Sequence, residues 1–444
     1  MSNSKLHRSL WLQADLCLVS PMRLGNGLTL HSDDDLLLDS EGRSYIPGSS
    51  LAGVIYESLH GKTEMPEEDF KQLFGEHYLA GEKEYRQSMV IFHDAFFKEK
   101  ESADIVIRDG IEMNGYTKTT KNQSKYNYEV LNPEVKFQFR MEILIRDEFK
   151  NLDVLQFVSN LLEMVRQGDF RIGAKTSRGL GQVTFDNILY RDLRIETAEN
   201  MLEYAAFDWK QLMPIKEGAL PPATYQSPYT TLEVPLQVQS TLLIRSYFLN
   251  NFDVDCEQLT VNDKAVIPGS AWAGVFRHKT KELLEELSDK KVAKQYIKAL
   301  FGAEKEEEET KRSRIVFGES VDEALICVEG KKKSQLKEVT RNKIDRFTSG
   351  VLDTGLFSER IAVGGIYTLQ IQIKQACNYE IGMILLTIAE IRNGLVALGG
   401  DTSIGRGTFM ENGEVRLNGK KLEQTEMQQY WNKLGVELAK VGEA

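Results

Sequence analysis

"IPGSSLAGV" at residues 46–54 returns as "IPGSAWAGV" at residues 267–275, with only two of nine letters changed and an offset of 221. Other pairs keep the same order. "LCLVSPMRL" from Leu16 parallels "LQVQSTLLI" from Leu236, Phe74-Gly75 returns as Phe301-Gly302, and "IGAKTSRGLG" from Ile172 returns as "LGGDTSIGRG" from Leu398, at offsets of 220, 227 and 226. Ordered anchors with so little drift mark a tandem duplication. Its period is far too long for a solenoid, so each copy is expected to be a domain with its own core. The expected organisation is a first domain over residues 8–195, a linker over 196–229, a second domain over 230–415 and a helical tail over 416–444.

Length and composition agree. A chain of 444 residues suits two or three domains, and 41% hydrophobic with 27% charged residues is a globular balance. No run of 18 apolar residues occurs, and the N-terminus has no hydrophobic core followed by a small-residue cleavage site, so the expectation is a cytoplasmic protein with no membrane partner. Cys17, Cys256, Cys327 and Cys377 are scattered, which excludes a disulfide framework or a zinc knuckle.

Alternation in "LWLQADLCLV" and "FQFRMEILIR" predicts half-buried strands. The spacing in "VLQFVSNLLEMVRQG" and "EIGMILLTIAEIRNG" predicts helices that stop at glycine. Helices laid on an antiparallel sheet make an α+β, ferredoxin-like or RNA-recognition-like domain the expected fold of each copy. "EGALPPATYQSP" reads as a connector crossing the surface, and "LEQTEMQQYWNKLGVELAKV" as a terminal helix.

Three recurring features carry chemistry. Pro-Gly-Ser precedes an apolar-periodic run in both copies, so serine is expected to cap a helix while glycine admits a neighbouring backbone. Such a helix start can hold phosphate, which makes Gly48, Ser49, Ser50, Gly269 and Ser270 candidate RNA contacts. The glycine-rich turns add hydroxyls and cations at Lys175, Thr176, Ser177, Arg178, Thr402, Ser403 and Arg406. Two insertions interleave cations and rings: Arg341, Lys343, Arg346, Phe347 and Phe357 in one, Lys118, Lys121, Lys125 and Tyr126 in the other. That mixture suits single-stranded RNA. The net charge of −11 excludes a protein coated in nucleic acid, but residues 331–346 carry seven basic and two acidic side chains.

With "IPGSSLAG", "KIDRFTSGVLDTGLFSERIAVGG" and the late glycine-rich loops, the chain resembles the repeat-associated RNA-binding (RAMP) backbone subunits of type III CRISPR effector complexes, as a double-domain fusion of the III-D-like kind. The resemblance implies a guide-RNA-binding subunit whose thumb segment enters the guide–target duplex, with target RNA and other effector subunits as partners. It also implies an aspartate, in the loop before Ile-Pro-Gly-Ser, that cuts target RNA with Mg2+ or another divalent cation. In the first copy Asp33 fits the spacing best, beside Asp34 and Asp35; in the second Asp255 is nearest and Asp253 is an alternative, so Asp33 and Asp255 are the candidate metal ligands. Two other readings remain open. One is a scaffold that holds RNA without cutting, and the other a metal-independent guide-processing endonuclease using His31 or His278 as base.

Overall fold

The computed structural model describes residues 5–27, 32–33, 35–75, 87–98, 105–113, 120, 124–246, 254–303, 311–324, 326–328, 331–333 and 335–442. It resolves into two compact units. The first comprises residues 1–106, 129–176 and 181–228; the second comprises 107–128, 177–180 and 229–444.

In the first unit, Lys136–Arg146 alternates buried and half-buried residues along its length and sits beside Leu6–Leu18, antiparallel, with Trp11 opposite Glu142 and Gln13 opposite Arg140. The sheet order runs Tyr45–Ile46, Ala95–Phe97, Lys136–Arg146, Leu6–Leu18, Val183–Arg194 and Met213–Pro214. Helices Gly48–Leu59 and Val154–Arg166 cover one face, burying Leu51, Ile55, Phe157, Leu161 and Met164 against Leu12, Phe137 and Phe139. This is the ferredoxin-like α+β arrangement: each helix joins two strands that have another strand between them.

The second unit repeats it. Tyr229–Val238 lies between Ile366–Lys374 and the short strands Phe409–Glu411 and Arg416–Leu417, and Ile315–Phe317 pairs outside Ile366–Lys374. Helices Gly269–Leu287 and Asn378–Arg392 correspond to the two helices of the first unit.

The sequence between and after the copies is used to cover faces. Helix Val154–Arg166 buries Ser159 and Asn160, which a bare helix would leave to water. Ser159 Oγ donates to the Pro221 carbonyl at 2.8 Å, and Asn160 Oδ1 accepts the N–H groups of Thr224 and Tyr225 at 2.7 and 3.0 Å. The proline-rich connector thus lies along that helix and gives the Ser159 hydroxyl and the Asn160 side-chain oxygen their partners. Upstream of it, helix Ala198–Ala205 starts at a Thr197 capping box, and Phe207 stacks on Trp11 at 3.9 Å between centroids. In the second unit Asn378–Arg392 is apolar on nearly every side, as a helix covered twice should be. Helix Gln424–Gly442 supplies the second cover, so close that a Cβ on Gly382 would stand 2.5 Å from the Tyr430 carbonyl oxygen.

Candidate nucleic-acid interface

Both Ile-Pro-Gly-Ser segments leave a strand and enter a helix, but serine is not the cap. Pro47 and Pro268 hold that position, with φ of −59° and −69°, and neither helix has a side-chain cap bond. Proline can stand there because an N-cap residue needs no N–H for the helix and its φ is already set. The serines fall within the first turn instead, where Ser49 and Ser270 are exposed and Ser50 is half-buried. The Gly48 N–H finds its acceptor in Asp94 Oδ1 at 2.7 Å. Glycine is needed for closeness: a Cβ on Gly48 would overlap the Phe92 carbonyl oxygen, and one on Gly269 that of Phe317.

The glycine-rich turns share one backbone path. Gly173 and Gly399 have φ of +91° and +98°, Lys175 and Asp401 +55° and +56°, and Gly181 and Gly407 +76° and +72°. Each turn is fastened to the strand-end segment that leads into the acidic loop. Ala174 N–H donates to the Arg23 carbonyl at 2.8 Å, and Gly400 N–H donates to that of Leu243 at 2.7 Å.

Their chemistry differs. Lys175 is half-buried in the first turn, whereas the second has an acid there and adds Arg406, 4% exposed. Arg406 meets Glu359 at 2.8 Å and Asp401 at 3.0 Å; Arg341 meets the same carboxylates at 2.7 and 2.6 Å; Arg245 meets Asp401 at 2.8 Å. Burial pushes the Asp401 carboxyl up, and the guanidiniums of Arg245, Arg341 and Arg406 outweigh it, holding it below the ordinary carboxylate range. Arg341 and Arg406 are therefore engaged in joining the glycine-rich turn to the base of a long hairpin. Thr402 and Ser403 are exposed beside them.

That hairpin pairs Leu336–Ile344 with Val351–Val363. At its turn Asp345 accepts the N–H groups of Thr348 and Phe347, each at 2.8 Å, and these bonds hold its carboxyl below the usual range. The turn presents Phe347, 99% exposed, with Lys343 and Arg346 exposed beside it and Phe357 on the facing strand. Ile344, Val351 and Leu356 add further exposed apolar surface. A hairpin end with a free ring and flanking cations can stack on a base and meet phosphates.

The other basic insertion is described in part. Lys118 and Lys121 lie outside the described residues. Lys125 meets Asp109 at 3.4 Å, and Tyr126, half-exposed, stacks on Tyr128 at 5.8 Å. Thr176 and Ser177 are half-buried, and Arg178 is exposed.

Of the acidic candidates, Asp34 and Asp253 lie outside the described residues, as does His31. Asp33 is exposed, while Asp35 is buried and its Oδ1 accepts the backbone N–H and hydroxyl of Ser32 at 2.8 and 2.9 Å. Asp255 is exposed, yet its Oδ2 accepts the Ser358 N–H at 2.9 Å, tying the second acidic loop to the hairpin. Among the described residues no three His, Cys, Asp or Glu side chains are grouped to hold a metal. An ion satisfied by one carboxylate, with water and RNA phosphate as its other ligands, fits an exposed Asp33. His278 is exposed on its helix. Sequence reasoning missed Arg245, Glu359 and Asp401, whose charges become one cluster only through hairpin and turn coming together.

Two ferredoxin-like domains in tandem, each with a glycine-admitted helix start and a matching glycine-rich turn, define a duplicated α+β protein of the kind that carries nucleic acid. The chain belongs to the RAMP superfamily, whose family model matches residues 15–184 and 236–410. That membership makes it a CRISPR-associated RNA-binding subunit. No curated protein matches the chain. No helix among the described residues is long and apolar enough to cross a membrane.

Proposed function

We propose that this chain is a guide-RNA-holding backbone subunit of a type III CRISPR interference complex that cuts complementary target RNA beside the acidic loop of its first repeat. The observation carrying the reading is the hairpin Leu336–Val363 within the family match, with Phe347 almost wholly exposed between Lys343 and Arg346. A ring so placed gains by stacking between bases, and stacking there opens the duplex at that step. RNA carries its own nucleophile, the 2′-hydroxyl. A displaced nucleotide needs only in-line geometry and a carboxylate near the scissile phosphate, and Asp33 supplies the carboxylate. A divalent ion held there would neutralise charge on that phosphate.

For the second repeat the non-cutting scaffold reading is favoured, because its glycine-rich turn carries Asp401 where the first has Lys175, and the cations beside it meet Glu359 and Asp401. The test is cleavage mapping on end-labelled target RNA in the assembled complex, with Asp33→Ala and Asp255→Ala prepared separately. Loss of one set of cuts with Asp33→Ala and an unchanged pattern with Asp255→Ala is expected. Cleavage untouched by Asp33→Ala overturns the catalytic assignment, and activity that persists in EDTA supports the histidine-based alternative instead.

A further inference from the structure

The outer end of the long hairpin is fixed neither by its strands nor by packing. Pairing is regular as far as Asn342 opposite Leu356 and then slips, so that the next pair is Ile344 with Val351. The ladder that holds the stem therefore stops short of the tip. Packing does not take over, because Arg346, Phe347, Thr348, Ser349 and Gly350 are all exposed. Such an end, left to itself, opens easily.

Hydrogen bonds close the tip instead, and most of them end on one residue. The Oδ1 atom of Asp345 accepts the N–H groups of both Phe347 and Thr348. The Asp345 N–H donates to the Gly350 carbonyl at 2.9 Å, and the Asp345 carbonyl accepts the Ser349 N–H at 3.0 Å. Thr348 Oγ1 adds a longer bond from the Gly350 N–H at 3.3 Å. Within this frame Ser349 has φ of +54°, a left-handed conformation that a non-glycine residue keeps only where its surroundings impose it. Bonds to an ionised acceptor are the stronger kind, so the two on the carboxylate dominate the frame. For phosphate binding alone an acid here is a defect, since it offsets one of the two cations, Lys343 and Arg346, beside Phe347. Its value lies in the shape it gives the turn.

We infer that Asp345 is a positioning residue of the RNA interface, its carboxylate fixing the backbone on both sides of the Phe347 ring so that the ring is presented in one orientation, ready to stack. The assignment rests on the RNA reading of the hairpin. With the turn preformed, binding does not have to order it. Without the carboxylate, each residue that must be fixed again on binding weakens affinity by about tenfold. Asp345 acts here as an acceptor rather than as a charge, so an amide oxygen at the same place serves as well.

The test has two arms. Limited trypsin digestion of the full chain without RNA, with the cut after Arg346 followed by peptide mass mapping, reports the turn itself. Asp345→Ala is expected to speed that cut by about tenfold while cuts elsewhere keep their rates, and Asp345→Asn to leave it close to the wild type. The second arm uses the assembled complex and target RNAs carrying 2-aminopurine at successive positions, which brightens where a base leaves the stack. At the position darkened by Phe347→Ala, Asp345→Ala is expected to darken the signal too and to weaken affinity about tenfold, and Asp345→Asn to restore both. If Phe347→Ala has its effect, the inference is overturned by an Asp345→Ala variant that matches the wild type in either arm, or by Asp345→Asn doing no better than alanine. If Phe347→Ala changes neither fluorescence nor affinity, the RNA reading of the hairpin falls, and the role of Asp345 falls with it whatever the digestion shows.

Discussion

Removing the charge of Glu319 should destabilise the second unit far more than removing both members of its ion pair. Arg108 and Glu319 have side chains 3% and 5% exposed and share contacts of 2.5 and 3.2 Å. In such a place attraction and lost hydration largely cancel, so the intact pair adds little over a well-packed apolar pair. Stranding one member is another matter, since an unpaired buried charge costs about 3–5 kcal/mol. Arg108 has little means of recovery, because its Nε already lacks a hydrogen-bond partner among the described residues. Glu319→Gln keeps an acceptor and should cost about 3 kcal/mol, whereas Glu319→Ala adds a void and should approach 5 kcal/mol. The pair Arg108→Met with Glu319→Leu should return to within about 1 kcal/mol of the wild type. Urea unfolding followed by tryptophan fluorescence reads this out, with Trp272 and Trp431 reporting on the second unit. A cost below about 1 kcal/mol for Glu319→Gln, or a double variant no better than the single ones, would refute the reasoning by showing that water reaches the pair.

Other outcomes follow from the same structure. Phe347→Ala should weaken RNA binding by about 1–3 kcal/mol, as loss of one stacked base does, in a fluorescence-anisotropy titration. Replacing Lys343 and Arg346 by alanine should lower the slope of log affinity against log salt by about 1.4, at about 0.7 per phosphate contact; an unchanged slope removes these residues from the interface. The depressed Asp401 carboxyl contributes stability that is full above its ordinary value of 3.8 and is lost as pH falls through its lower folded-state value. Asp401→Asn should therefore destabilise the protein at neutral pH and make its stability less sensitive to acid in that window. Burial, with the Asp186 carboxylate next, pushes the Cys17 thiol up to about 11, whereas Cys377 is exposed. Iodoacetamide at neutral pH should label Cys377 well before Cys17, as read by peptide mass mapping, and Cys17 labelling should rise with pH toward that value.

Much of this protein is legible in one dimension because a duplicated sequence reports on itself. The paired Ile-Pro-Gly-Ser segments and glycine-rich turns need the same residues twice, since only glycine tolerates the close carbonyls at Gly48 and Gly269 or the positive φ at Gly173 and Gly399. Period-two alternation in Lys136–Arg146 and helical spacing in Val154–Arg166 likewise announce their elements, because each face meets a different solvent. Those are local constraints, and local sequence carries them.

What a polar side chain does once the chain has folded is not local. Asp33 and Asp35 stand two apart in one acidic run, yet one is exposed and the other is turned inward on Ser32. Arg346 and Arg406 are both cations in basic or glycine-rich settings. Only folding leaves the first in water and sets the second between Glu359 and Asp401, 47 and 5 residues away. The serines that look like helix caps stand inside the first turn because proline takes the cap. The repeats and the fold are thus determined by spacing along the chain, whereas the choice between a presented charge and an internal one is made by the tertiary structure, through which partners arrive from a distance and how much water they displace.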